Sequence, residues 1–298
     1  MNYYKNINHT IDYHHIRTEN PSVADFHLHE RFEIYFFISG NVNYFIEKKI
    51  YTLKKGSLLI MNSNEIHKPS FSPGAPYERI TIHFEPDMAR HLSSPTFDLL
   101  NCFNNRPTGE QNLISLSCVQ YDEIKHLFGR LEAIDNSTSD GSDILKLTAF
   151  IDLLVYINRV FLSSSCSVAA PGYALSQAIP DKLAPVLDYI DSHLDGNLSL
   201  EALEKHFYIN RFYLTRLFKR ITSSSLHEYI IYKRLSKAKM LLSEGYSVTE
   251  ACQGSGFNDY SNFLRTFKRT VGVSPGQFSK GWHYNYSYTA FKVTVVQP

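Results

Sequence analysis

The sequence lacks the features that mark secreted and membrane-spanning proteins. Its four cysteines, Cys102, Cys118, Cys166 and Cys252, show neither the pairing pattern of a disulfide scaffold nor the spacing of a metal site. No apolar run approaches the roughly 18 residues that a membrane-spanning helix requires. The opening residues, MNYYKNINHT, contain no basic segment followed by an apolar one. We therefore expect a cytoplasmic protein with reduced thiols and no membrane partner.

The chain also has little net charge, but its charges are unevenly distributed. The formal net charge is +1 at pH 7. Residues 1–179 contain 15 Lys and Arg against 19 Asp and Glu, whereas residues 180–280 contain 14 against 10. A basic surplus confined to one region is typical of a chain in which one domain approaches phosphate. A surplus of this size does not identify a nucleic-acid-binding domain by itself.

Length and composition predict two domains joined by a linker. A chain of 298 residues is about twice the usual size of a single domain. Residues 163–182 are rich in Ser, Ala, Pro and Gly and lack periodicity. Strand-like runs precede that stretch, and residues 121–134 and 145–162 have helical spacing. We predict an α+β chain with a β-barrel and two helices over 1–162, a linker over 163–180, an all-α domain over 181–280 and a tail over 281–298.

Two short basic segments repeat in the second half of the chain. NRFYLTRLFKR occupies residues 210–220, and DYSNFLRTFKR occupies residues 259–269. The helical period gives each copy a buried face, formed by Leu214, Leu217, Phe218 and Ile221 in the first and by Phe263, Thr266, Phe267 and Thr270 in the second. Asn210 and Asp259 stand where a short polar side chain can cap a helix. The repeat therefore predicts two amphipathic helices, each with a basic outer face.

Each of these helices follows another short helix and a tight turn. SLEALEKHF precedes the first copy and SVTEACQGSG the second, so the pattern predicts two helix-turn-helix units. A longer predicted helix over 226–244 joins them and spans nearly 30 Å at about 1.5 Å per residue. That length could hold two recognition helices about one DNA turn, or 34 Å, apart. The alternative is a pair of helical hairpins in an all-α scaffold, in which Arg and Lys form a solvated face.

Residues 181–280 resemble the tandem helix-turn-helix domain of AraC/XylS-type transcriptional regulators. The resemblance is most specific in GF (256–257), FKR (267–269) and GVSP (272–275). It implies that the domain binds double-stranded DNA. Three residues depart from the family pattern: Glu204 replaces a small Ala, Ser223 replaces a Gly, and Ser279 replaces a terminal Arg. Because Glu204 and Ser223 fall in the first copy, we expect the second copy to read bases more strongly.

The resemblance also implies which side chains contact DNA. The positions that match base-reading residues of the family are Phe212, Thr215 and Arg216 in the first copy and Ser261, Asn262 and Arg265 in the second. Arg can donate two hydrogen bonds to guanine, and Asn can pair with adenine, so the residue types suit that role. Lys219, Arg220, Lys268 and Arg269 lie further along the helices, and we assign them to phosphate, where they would orient the domain without specifying sequence.

The N-terminal half contains residues that suit either a metal or a ligand. His27, His29 and Glu33 lie in HLHERFEIYFFISG, and His67 ends GSLLIMNSNEIH. These segments resemble the two motifs of a cupin barrel, in which imidazoles and a carboxylate from adjacent strands converge. Three His and one carboxylate suit Fe, Mn or Zn. The second segment lacks the usual Pro and Gly of its motif.

Two functions remain open for this half of the chain. The first is an effector pocket, because regulators of this family often keep the barrel and its His positions without catalysis; we expect His27, His29, Glu33, Tyr35, His67 and His83 to line it. The second is a metal-dependent cupin enzyme with an appended helical domain, which metal analysis of the protein would distinguish. We favour the pocket and predict no catalytic residue, no cofactor and no metal.

The predicted function is a ligand-responsive, sequence-specific DNA-binding transcriptional regulator. The family resemblance suggests a sugar or a similar metabolite as effector, although no residue identifies it. The helices over 121–134 and 143–162 match the family's dimer contact and favour a homodimer, but their apolar stripes would equally cover the barrel. RNA polymerase is an expected partner if the protein is an activator.

Overall fold

The computed structural model describes residues 11–21, 25–72, 74–164 and 176–281. Within those ranges, no helix combines the length and the apolar character needed to cross a membrane. The parts of the predicted tail and linker at 282–298 and 165–175 lie outside the described residues, as do the first ten residues.

The N-terminal region contains two antiparallel sheets. Its strands are β1 (Ile11–Thr18), β2 (Phe32–Ser39), β3 (Val42–Ile46), β4 (Lys49–Thr52), β5 (Leu58–Met61), β6 (His67–Phe71), β7 (Tyr77–Phe84), β8 (Leu113–Ile114) and β9 (Ser176–Ala178). The first sheet has the order β1-β7-β2-β5-β8, and the second has the order β6-β3-β4-β9. The α+β class predicted from sequence is confirmed. The described strands form two separate ladders, so the predicted barrel is an open pair of facing sheets.

Both faces of the first sheet are buried, which explains the nearly continuous apolar run of β2. Successive side chains of a strand point to opposite faces. Phe32, Ile34 and Phe36 belong to a core shared with helices, while Tyr35 and Phe37 belong to a second core between the two sheets. The chain leaves β2 at Gly40, which has φ +126°, and a Cβ at this position would lie 2.9 Å from the Pro76 carbonyl oxygen. This turn therefore requires glycine.

Helices cover the outer face of the first sheet. They are α1 (Pro86–Leu92), α2 (Asn101–Asn104), α3 (Cys118–Asp135) and α4 (Ser142–Ser164). A capping box formed by Ser117 and Gln120 starts α3. Phe128 of α3 and Phe150 of α4 are fully buried against the sheet, and each such side chain contributes roughly 1.5–3 kcal/mol. The apolar stripes of the two predicted dimer helices are therefore used within the chain to cover the sheet.

The C-terminal region is all α-helical. It consists of α5 (Ala184–Ser192), α6 (Leu200–Phe207), α7 (Arg211–Thr222), α8 (Leu226–Ser243), α9 (Val248–Gly254), α10 (Tyr260–Val271) and α11 (Pro275–Phe278). The helix predicted over 226–244 is α8, which is about 27 Å long at 1.5 Å per residue. Gly256 has φ +88°, and a Cβ there would lie 1.9 Å from the Leu194 carbonyl oxygen. The turn before α10 therefore also requires glycine.

One hydrophobic core joins the two regions. Phe45 of β3 meets Phe218 of α7 and Tyr229 of α8 at ring distances of 6.4 and 6.2 Å. Phe26 packs on the same Tyr229. The end of the predicted linker is also structured, because residues 176–178 form β9 and pair with β4. The outer face of the second sheet is thus covered by the helical region.

Candidate DNA interface and effector pocket

The first predicted recognition helix, α7, has a well-capped start. As predicted, the side chain of Asn210 caps it, accepting hydrogen bonds from the Phe212 and Tyr213 amides at 3.0 and 3.2 Å. Oε1 of Glu204 accepts a further bond from the Arg211 amide at 3.1 Å. A carboxylate at a helix N-terminus is favourable because the first amides lack partners within the helix. Glu204 therefore stabilises α7, although its departure from the family pattern led us to expect weaker base reading by the first unit.

The two faces of α7 follow the predicted pattern. Leu214, Leu217 and Phe218 are buried. Phe212 is 63% exposed, and Arg216 is also exposed. Thr215 is half-buried, and its hydroxyl donates to the Arg211 carbonyl oxygen at 2.8 Å. Two of the three predicted base readers of this helix thus lie on its open face, while Thr215 lies at the edge.

The second predicted recognition helix, α10, repeats this construction. The Asp259 side chain caps it by accepting from the Asn262 amide at 2.9 Å, as predicted. Ser261 and Arg265 are exposed. Asn262 is half-buried, and its Oδ1 accepts from Nη2 of Arg265 at 3.4 Å. Asn262 therefore contacts Arg265 one turn further along α10.

The four cations predicted to contact phosphate lie at the C-terminal turns of these helices. Lys219 and Arg220 are in the last turn of α7, and Lys268 and Arg269 are in the last turn of α10; all four are exposed. Cations at a helix C-terminus also offset the helix dipole. This placement therefore stabilises the helices and leaves the four cations accessible to phosphate.

Exposed aromatic residues near α7 were not predicted from sequence. Tyr208 is 94% exposed and has φ 55° in the turn before α7, and Tyr213 is 41% exposed. Tyr side chains are usually at least half-buried. Neither residue type nor helical periodicity therefore predicted that Tyr208 and Tyr213 would be exposed. Both side chains add apolar area with a polar tip beside the open face of α7.

In the N-terminal region, three of the six predicted pocket residues converge on one carboxylate oxygen of a fourth. Oε2 of Glu33 lies 3.1 Å from Nε2 of His29, 3.1 Å from Nε2 of His67 and 3.5 Å from Nε2 of His83. We call His29, Glu33, His67 and His83 the Glu33 cluster. Strand register explains the convergence, since Glu33 on β2 pairs directly with His83 on β7. His27 is half-buried beside this cluster, with its ring 5.7 Å from that of His67.

Burial and mutual contacts set the protonation of these groups. Burial lowers the pKa of His29 to about 4 and that of His27 to about 3. Burial opposes ionisation of Glu33, but its electrostatic interaction with His83 and its close contacts with the three imidazoles bring its pKa well below the usual value. Burial also opposes protonation of His67, yet the neighbouring Glu33 raises its pKa overall. The carboxylate is thus ionised at neutral pH.

The sixth predicted pocket residue, Tyr35, lies among other tyrosines. Its hydroxyl is 2.5 Å from that of Tyr77, and its ring lies 4.9 Å from that of Tyr44. Tyr44 in turn stacks on His67 at 6.1 Å. Tyr44 and Tyr77 were not among the predicted pocket residues, although strand alternation was a usable signal for them. These rings fill much of the space between the sheets.

Two cavities lie away from the Glu33 cluster. A groove of about 470 Å³ runs between residues 54–57 and the start of α3, and a cleft of about 300 Å³ is lined by Ser63 and by Lys239 of α8. Neither is lined by a residue of the Glu33 cluster. Cavity volume therefore does not identify the Glu33 cluster as a binding site. The assignment depends on the chemistry of its side chains.

Charged residues link the pocket region to the helical region. Nζ of Lys233 on α8 lies 2.7 Å from Oε2 of Glu47 and 3.2 Å from Oδ1 of Asp191. Lys48 makes a second pair, 2.7 Å from Asp188 of α5. Burial raises the pKa of Glu47, which Lys233 opposes. Sequence reasoning missed the pairs of Lys233 with Glu47 and of Lys48 with Asp188 because their members lie 186 and 140 positions apart.

Comparisons with known proteins match both regions. The model of an AraC-like ligand binding domain matches residues 8–154, and that of a helix-turn-helix domain matches residues 203–281. The chain is 33% identical over 127 residues to the uncharacterized HTH-type transcriptional regulator YijO of Escherichia coli K12, covering 42% of each protein. It is 27% identical over 157 residues to the regulatory protein PocR of Salmonella typhimurium LT2, covering 51% of this chain and 52% of PocR.

These matches are partial with respect to the relatives. The matched regions span about half the length of YijO and PocR. A crystal structure of ToxT from Vibrio cholerae aligns with 92% of this chain and 99% of its own, at 14% identity and a TM-score of 0.36.

Proposed function

The chain belongs to the family of AraC-like helix-turn-helix regulators, and from that premise we propose that it is a sequence-specific DNA-binding transcriptional regulator controlled by a small-molecule effector. The observation that carries the proposal is the pair of capped helices, α7 and α10, each with an open polar face and a basic last turn. A scaffold of helical hairpins explains neither the repeat nor the family match.

The two helices divide the work of binding. Phe212, Thr215, Arg216, Ser261, Asn262 and Arg265 read bases in the major groove, where Arg265 donates to guanine and Asn262 pairs with adenine. Lys219, Arg220, Lys268 and Arg269 bind phosphate and fix the orientation of the domain. Since α8 is about 27 Å long, it separates the helices by roughly the distance between successive major grooves.

The N-terminal region is the sensor. His27, His29, Glu33, Tyr35, His67 and His83 line the effector site, and a polar metabolite such as a sugar suits their hydrogen-bonding groups. The packing of Phe45 on α7 and α8 offers a route from the sensor to the DNA-binding helices. Exposed apolar residues of α3 and α4, including Val119 and Ile144, provide surface for a homodimer. An activator would in addition contact RNA polymerase.

Selection of bound duplexes from a random library tests the DNA-binding proposal. The full chain is used, because the C-terminal region shares its core with the sensor. We expect an enriched site whose log affinity falls with log salt concentration by about 0.9 per phosphate contact. The double variant Lys219→Ala, Lys268→Ala should reduce that slope by about 2. Lys125→Ala, at an exposed position of α3, is the matched control and should leave the slope unchanged. Failure to enrich any site, or affinity independent of salt, contradicts the proposal.

A further inference from the structure

The Glu33 cluster is assembled from distant parts of the chain. Glu33 and His83 face each other on β2 and β7, His29 precedes β2, and His67 begins β6 of the other sheet. His29, Glu33 and His67 are each at most 5% exposed. Four ligand-type side chains therefore meet in the interior, where an ionised group requires a partner.

Backbone contacts fix which nitrogen of two imidazoles carries a proton. Nδ1 of His29 lies 2.7 Å from the Arg31 carbonyl oxygen, and Nδ1 of His67 lies 2.8 Å from the Glu65 carbonyl oxygen. A carbonyl oxygen only accepts, so Nδ1 donates in both rings, and a neutral ring then presents a lone pair at Nε2. Histidine ligands in metal sites are oriented by this same contact of the distal N–H with a backbone carbonyl.

When the rings of His29 and His67 are neutral, their Nε2 lone pairs therefore face the carboxylate oxygen of Glu33, which is also an acceptor. Both Nε2 atoms lie 3.1 Å from Oε2 of Glu33, and a carboxylate also only accepts. Nε2 of His67 is buried without a hydrogen-bond partner. Protonating every ring would place three cations together, with the ring of His29 5.0 and 5.1 Å from those of His67 and His83, where like charges repel. One cation among the four ligands removes both conflicts.

The spacing of the ligand atoms also suits a single ion. Tyr35, Tyr44 and Tyr77 fill much of the space beside the cluster. The ligand atoms of His29, Glu33 and His83 lie within 4.8 Å of one another. Atoms on opposite sides of an ion with bonds of about 2.1 Å are about 4.2 Å apart. The spacing of these three atoms is therefore of the size that one bound ion requires.

We propose that His29, Glu33, His67 and His83 bind one divalent first-row transition metal ion between the two sheets. Three imidazole nitrogens and one carboxylate oxygen suit zinc, iron or manganese rather than calcium or magnesium. The proposal departs from the metal-free pocket expected from sequence, and it includes His83, which lies outside both sequence motifs. The metal site is the site that the proposed function assigns to the effector, so this proposal rests on the proposed function. Metal binding itself requires neither DNA nor effector and can be measured separately.

Calorimetric titration with Zn²⁺ tests the proposal on the full chain after chelator treatment and dialysis. We expect one equivalent to bind with an accompanying rise in melting temperature. Co²⁺ should bind in its place and give a visible absorption spectrum of a site with mixed nitrogen and oxygen ligands. His83→Ala and Glu33→Gln should each weaken Zn²⁺ binding by more than the roughly 10–100-fold that loss of an outer-shell partner costs. His126→Ala, at an exposed position of α3, is the matched control and should bind Zn²⁺ as the parent does.

Two results would overturn the metal site. One is the absence of stoichiometric binding of Zn²⁺, Mn²⁺ and Fe²⁺, which would leave a proton shared by Glu33 and His67 as the partner of the carboxylate. The other is equal binding by the parent and His83→Ala, which would place the ion elsewhere. His83 has the most exposed side chain of the cluster, 12%, so its variant keeps the test usable if Glu33→Gln does not fold. Metal binding without DNA binding would refute only the proposed function, and the reverse result only the metal site.

Discussion

The two helix-turn-helix units are built alike but anchored differently. Helices α7 and α10 each have 12 residues, and each ends at a residue in the left-handed region, Ser223 with φ 58° and Gly272 with φ 88°. Ser223 contacts the sensor, since its hydroxyl lies 3.1 Å from that of Ser70. The neighbouring Ser224 accepts a hydrogen bond from buried Lys68. Gly272, in contrast, is exposed, and a Cβ there would meet nothing within 4 Å.

The difference indicates separate roles for the two units. The end of α7 is held by the second sheet of the sensor, so a change between the sheets can alter the position of the first unit. The corresponding end of α10 is exposed to solvent. We infer that the first unit receives the effector signal and that the second contributes most of the base specificity. The following changes test that division.

The largest expected effect is on stability, from Lys233→Met. Lys233 pairs across the interface with Glu47, whose side chain is 3% exposed, so the variant leaves a buried carboxylate unpaired. Removing one partner of a buried pair costs about 3–5 kcal/mol. The free energy of unfolding should fall by that amount in denaturant titrations, while Lys237→Met on the same helix should be nearly neutral. Adding Glu47→Gln should restore most of the loss; an equal loss in the double variant would show that the pair is unimportant.

The same variant should gain a dependence on pH. Burial already raises the pKa of Glu47 against the opposing effect of Lys233, so removing Lys233 should raise it further. A group with a raised folded-state pKa contributes stability below its unfolded pKa and loses that contribution as pH rises through the folded value. The stability deficit of Lys233→Met should therefore be smaller at about pH 4.5 than at about pH 8. A deficit that grows on acidification would contradict this assignment.

Base specificity provides the next comparison, between Arg265→Ala and Arg216→Ala. A bidentate contact from Arg265 to guanine predicts a binding loss of about 1–3 kcal/mol and relaxed preference at one base pair. Lys268→Ala should weaken binding to all sequences alike and reduce the salt slope by about 1. Affinities across single-base variants of the selected site at two salt concentrations provide the measurement. A larger site-specific loss for Arg216→Ala would reverse the order of the two units.

The smallest expected effects concern the two helix ends. Gly272→Ser should cost about 1 kcal/mol of stability, because a side chain is disfavoured at positive φ and no neighbour compensates. Ser223→Gly should be nearly neutral, since relief of backbone strain offsets loss of the contact with Ser70. Thermal unfolding of both variants checks the pair of expectations. A stabilisation of about 1 kcal/mol in Ser223→Gly would show that the Ser70 contact contributes nothing.

Features set by short-range rules could be predicted from the sequence. The caps at Asn210 and Asp259 and the buried faces of α7 and α10 depend on residues within one or two turns, and the structure confirms them. His83 was among the residues expected to line the pocket, and the register of β2 with β7 brings it to Glu33. The α+β class followed from the separation of strand-like and helical periods.

Features set by contacts between distant segments could not be predicted. Glu204 and Ser223 were interpreted as weaknesses of the first unit, because a family pattern does not contain the partners that these side chains find in this chain. Glu204 caps α7, and Ser223 meets the sensor. The pairing of Lys233 with Glu47 joins residues 186 positions apart. No periodicity in either segment indicates such a contact.

Hydroxyl-radical footprinting of the full chain on its selected site tests most directly whether one molecule reads DNA with both units. We predict two protected segments on one face of the duplex, about one helical turn or 34 Å apart. The segment assigned to α10 should be weakened by Arg265→Ala, and the segment assigned to α7 by Arg216→Ala. A single protected segment, weakened by one substitution and unaffected by the other, would contradict the account.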